Sequence, residues 1–204
     1  MNAILAFAAA LVSLRLAADL FQRYRRRTNS ELAAWAAALA AYAVASAALA
    51  AGAAGDWHDA TFRVYYLFGG LLTAPLLGVG SLLRVGVKAT APLGLLYSGL
   101  AIGVALAVPL THPVSGSNIP SAQDHLDFFP ARALAIAGNS LGTLAVVAVA
   151  LATMRKRPRG NVLILAGVAV AALGSALTGL GEAGTSAFLV IAAALLYGGV
   201  VSSR

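Results

Sequence analysis

The chain alternates between long apolar runs and short polar connections, and the plainest run is FRVYYLFGGLLTAPLLGVGSLLR, residues 62–84. Arginines bracket it, and glycines, two hydroxyl residues and one proline are its main interruptions. A run of about 20 residues at ~1.5 Å rise per residue matches a hydrocarbon core of ~30 Å, so it predicts a transmembrane helix. The same pattern recurs and predicts seven helices, at about 2–21, 31–51, 62–84, 89–108, 130–154, 161–180 and 186–201. The fold class expected is all-α: a polytopic seven-helix bundle forming one transmembrane domain over 1–204.

The connections carry the sidedness. Of the fourteen Lys and Arg residues, eleven fall at one end of the expected bundle, in QRYRRRTNS (22–30), around Arg84 and Lys88, in RKRPRG (155–160) and at Arg204. The opposite end holds Asp56, Asp59, Asp124, Asp127 and Glu182. Short Lys/Arg-rich loops stay in the cytoplasm, which puts the N-terminus outside and the C-terminus inside. The longest connection, LTHPVSGSNIPSAQDHLDFF (110–129), lies on the outer side and exceeds the length of a simple turn.

Composition narrows the class further. The 204 residues are 60% hydrophobic and 10% charged, more apolar than a soluble domain. The net charge of +7 follows from the basic inner loops and is no nucleic-acid footprint. Cysteine is absent, which removes disulfides, thiolate nucleophiles and thiolate metal sites. The first run carries Arg15 and Asp19 and no cleavage signature, so it reads as a retained helix. Abundant Ala, Gly, Leu and Arg suggest a GC-rich bacterial coding sequence and thus a multi-pass protein of the cell inner membrane.

The first three and last three segments share one order: helix, basic loop, helix, acidic glycine-rich turn, helix. RYRRRTN (23–29) can be laid on RKRPRGN (155–161), and YLFGG (66–70) on LLYGG (195–199). A parallel three-plus-one-plus-three repeat over 1–84 and 130–201 is one reading. It is the arrangement of sugar transporters of the SWEET class, whose proline-glutamine signature is missing here.

Ionisable groups inside lipid cost on the order of 3 kcal/mol and each needs a reason. Arg15 and Asp19, four residues apart, are expected to pair. Arg63, with Tyr65 and Tyr66, is expected at the outer interface, either paired with Asp59 or meeting Arg132 as an anion or headgroup clamp. Asn139 falls near the middle of the fifth segment, where an amide must find partners; it serves helix packing or a ligand. Pro75 removes a backbone donor, frees the Leu71 carbonyl and predicts a kink. The ligand-binding candidates are therefore Arg63, Tyr66, Arg132 and Asn139.

On the outer side His112, Asp124, His125 and Asp127 are ligands of the kind zinc takes, without a helical His-x-x-x-His or His-Glu-x-x-His spacing. A retinal Schiff base is excluded because Lys88 and Lys156 both fall in inner loops. A bis-histidine haem site is excluded because no histidine lies in a span, and no cofactor is expected.

At residues 62–84 and at FPARALAIAGNSLGTLAVVAVAL (129–151) the sequence resembles a group of uncharacterised seven-span membrane proteins of GC-rich, actinobacterial-type bacteria. More loosely it resembles the seven-helix receptor regions of bacterial histidine kinases, although only three residues follow Val201 and no output domain is expected after them. The motifs that carry the resemblance are R-x-Y-Y-L-F-G and R-A-L-A-I-A-G-N, and they imply no residue roles.

The function expected is that of a non-enzymatic integral membrane protein. It binds a small or lipidic ligand from the outer face as a sensor or accessory subunit. Its partners are membrane lipids, that ligand, and a cytoplasmic protein docked on the basic loops. A small-solute transporter using the repeat and an outer-face metal-dependent hydrolase are the alternatives.

Overall fold

The computed structural model describes residues 2–179 and 185–202, and among them the chain is helical with no strand. Seven long helices are present: α1 (Asn2–Arg27), α2 (Ser30–Gly55), α3 (Asp59–Arg84), α4 (Thr90–Ala107), α6 (Phe128–Ala152), α7 (Pro158–Gly179) and α8 (Thr185–Ser202). A single-turn helix α5 (Ala122–His125) sits within the long connection. Among the described residues five of these helices, α1 to α4 and α6, are long and apolar enough to cross a membrane. The last two hold shorter apolar stretches, Pro158–Leu173 and Val190–Gly199. The expected turn at 181–185 with Glu182 lies almost wholly outside the described residues, as does Arg204.

Most helices overrun their expected apolar windows. The basic stretch after the first window is helical up to Arg27, so the connection to α2 is only Thr28 and Asn29. Arginine is a good helix former, and hydrogen bonding continues for as long as the residues permit it, wherever the hydrocarbon ends. The helix stops where Thr28 takes a left-handed φ of 50° and donates its backbone N–H to Tyr24 O at 2.7 Å.

Packing closes six of the long helices into a ring. The order around it is α1, α2, α3, α6, α7, α8 and back to α1. α4 stands outside this ring, against α3 and the start of α6. Its Leu93, Leu95, Leu96 and Leu106 side chains are exposed, as are Ile4, Phe7 and Leu11 on α1 and Leu141 and Leu144 on α6. A belt of outward apolar side chains with small residues between helices is what a bundle solvated by lipid requires. The tightest crossing is α3 on α6: a Cβ added at Gly78 would come within 2.7 Å of Gly142 Cα, so only glycine fits.

Two of the three packed clusters of the interior lie toward opposite ends of the bundle. At the basic end Leu20, Trp35, Leu39, Leu77, Val146 and Leu196 form one cluster. At the opposite end the long connection folds back as a cap. Val114 and Leu126 pack with Trp57, Phe62 and Ala131, and the cap is pinned by Trp57 N–H donating to Gly116 O at 2.7 Å and Thr111 N–H to His125 O at 3.0 Å.

Candidate functional site: a cavity inside the helix ring

The site begins with one backbone defect. Pro75 has no N–H to give the Leu71 carbonyl, and over Tyr66–Leu72 α3 widens into π-helical turns. Widening leaves carbonyls short of their usual donors, and side chains supply them. Thr73 Oγ1 donates to Phe68 O at 2.7 Å, Asn139 Nδ2 to Gly70 O at 2.8 Å, and Tyr97 OH to Leu71 O at 2.9 Å. The wide turns are therefore held from three directions: by α3 itself, by α6 and by α4.

Beside this stretch the ring surrounds a partly open cavity of about 470 Å³. One wall is polar: Tyr65, Tyr66 and Thr73 on α3, Asn139 and Thr143 on α6, and Tyr42 and Ser46 on α2. The facing wall is apolar: Val168, Ala171 and Ala172 on α7, and Ala192, Ala193 and Leu196 on α8. Among the described residues no lining side chain is charged, and none is a histidine. A volume in the range of small-molecule sites, mostly apolar and with a few placed polar groups, is the usual constitution of a binding pocket.

The structure separates the four residues singled out in the sequence. Tyr66 and Asn139 line the cavity. The Tyr66 hydroxyl is buried with no hydrogen-bond partner among the described residues, while its ring stacks on Phe62 at 5.9 Å. Arg63 is instead turned outward to α4, where Nη1 donates to Ala105 O at 2.6 Å. That carbonyl belongs to the last turn of α4, where a cation offsets the negative end of the helix dipole. Arg132 lies over the Phe128 ring at 5.8 Å, in an open outer groove it shares with His112, Asp124, His125 and Asp127.

Two expected ion pairs give way to other partners. Asp59 does not take Arg63; its Oδ1 accepts the backbone N–H of Val114 at 2.8 Å and so ties the cap to the start of α3. Asp19 pairs with Arg23 at 2.7 Å and not with Arg15, and it also accepts a short hydrogen bond from Tyr197 OH. Both arginines stand four residues from Asp19, but an acid placed N-terminal to its base has the favoured geometry, and α8 presents Tyr197 on that side.

The outer histidines make local bonds. His112 Nδ1 donates to Asp124 O at 3.1 Å and His125 Nδ1 to His112 O at 3.1 Å, stitching the cap together. Among the described residues no group of three His, Cys, Asp or Glu side chains is placed to hold a metal ion. Tyr97 and the alanine wall of α7 and α8 were not expected from sequence. The one available signal was the orphan Leu71 carbonyl, which called for a donor from another helix.

No protein-family model matches this chain, and no curated protein or solved structure matches it.

Proposed function

We propose that this protein is a non-enzymatic binder of a small, lipidic molecule, held in the cavity at the centre of the helix ring. It sits in the cell inner membrane with seven spans, the N-terminus outside and the basic end in the cytoplasm, as the distribution of Lys and Arg supports. The observation that carries the reading is the 470 Å³ space beside the wide turns of α3, with Asn139 and Thr143 on its polar wall. On the α2, α3 and α6 side, Trp57, Phe62, Val114 and Leu126 pack together toward the acidic end of the bundle. The ligand enters from the bilayer, between helices of the ring. Occupancy is passed on by helix movement to a partner or to anionic lipid at the basic end, as in a sensor or accessory subunit.

The test is to release the protein from nanodiscs of native membrane lipid and weigh it intact. Wild type is expected to carry a bound molecule that Val168→Phe, which fills the cavity, loses. A molecule retained equally by both overturns the reading.

One observation favours a second reading, a small-solute transporter. The cavity is walled by α2 and α3 on one side and by α6, α7 and α8 on the other, between the two halves of the suggested repeat. Solute flux in liposomes that Val168→Phe abolishes is the outcome that would favour it.

A further inference from the structure

We infer that the cavity selects an uncharged lipid with a carbonyl or ester head, and that its specificity is a rejection of charge. The inference rests on the proposed binding function and specifies its ligand class.

The first observation is electrostatic. Among the described residues twenty-one line the cavity and none of them carries a charge. Arg63 bonds Ala105 O, Arg132 lies over Phe128 and Arg23 pairs with Asp19, and none of the three lines the cavity. A carboxylate, phosphate or ammonium placed inside would have no counter-ion, and burying an unpaired charge is prohibitive compared with leaving it at the headgroup level.

The second observation is the one-sided distribution of polar atoms. Asn139 spends one amide N–H on Gly70 O, and an amide nitrogen carries two. Thr143, Ser46 and the Tyr65 hydroxyl stand on the same polar half of the lining. Amide and hydroxyl hydrogens suit an acceptor head such as a ketone, quinone or ester carbonyl. The described residues of the α7 and α8 wall offer alkyl surface and suit a chain.

The third observation is size and access. At ~30 Å³ per liquid water the space holds roughly fifteen non-hydrogen atoms, which is a short chain with its head or the head and first units of a longer lipid. α6 and α7 meet sparsely along their described lengths, and Ala172 on the cavity wall is exposed. A chain can lie through that lateral gap into the bilayer.

Two isomeric probes separate charge from size: methyl tridecanoate and tetradecanoate have the same atoms in the neutral forms, and at pH 8 only the second is ionised. Radiolabelled forms are titrated onto wild type and Val168→Phe in nanodiscs, and the signal lost in the variant is the cavity's. The expected result is saturable, Val168-sensitive binding of the ester, with the carboxylate at least tenfold weaker at pH 8. Carboxylate binding as tight as ester binding, and equally Val168-sensitive, overturns the charge rule and leaves the binding function standing. If neither probe shows a Val168-sensitive component while Val168→Phe keeps its wild-type melting temperature, the binding function falls and this inference with it.

Discussion

Asn139 shows how a single polar residue organises this bundle. Its amide holds Gly70 O, a carbonyl that the wide turns of α3 leave short of a donor, at the edge of the central space. Asn139→Ala removes that donor and is expected to destabilise the protein by about 1 kcal/mol, the scale of an interhelical hydrogen bond in a membrane. Unfolding in mixed micelles measures it, and an unchanged stability would mean the carbonyl finds another partner. The residue was legible in the sequence because an amide in an apolar run must be explained. Arg63 was legible only as an oddity: its partner is a backbone carbonyl 42 residues away, and carbonyls leave no trace in a residue pattern. The pairing of Asp19 was legible as far as its spacing. Choosing Arg23 over Arg15 required knowing that Tyr197 lies alongside.

Helix α3 shows the same division at the next scale. Its existence and its proline distortion follow from residues 62–84 alone, because a run of that length and a missing N–H leave few alternatives. That the distortion takes the form of π turns at Tyr66–Leu72 depended on donors arriving from α4 and α6. Glycines divide in a comparable way. Gly142 has the Ala74 carbonyl and Pro75 nitrogen where its Cβ would go, whereas Gly99 on α4 has nothing within 4 Å. Gly142→Val is therefore expected to cost about 1–3 kcal/mol through overpacking. Gly99→Ala, facing open space, is expected to gain up to ~1 kcal/mol from helix propensity. Thermal unfolding of the two variants in one detergent checks the contrast. Equal effects would contradict the α3–α6 crossing.

At the level of the whole molecule, the helical class and the five described helices long and apolar enough to cross a membrane follow from hydropathy, and the ring does not. Helices of alanine, leucine and glycine carry little periodicity to say which face turns inward. α2 and α7 have no marked apolar side, so the order of neighbours and the empty centre emerge only from packing. The absence of cysteine makes the proposed sidedness easy to probe, since any introduced cysteine is unique. Arg26→Cys is expected to resist an impermeant maleimide in intact cells and to react after lysis. Ser117→Cys, in the cap, is expected to react in intact cells. The reverse pattern would invert the faces.

The account stands most directly on what fills the space between α3, α6, α7 and α8. An experimental structure of the protein in native lipid, at a resolution that separates side chains from lipid, measures it. The predicted result is elongated non-protein density against the apolar wall of Val168 and Ala172, with its head within hydrogen-bonding distance of Asn139 or Thr143. Side chains closing that space, or water alone within it, would contradict the account.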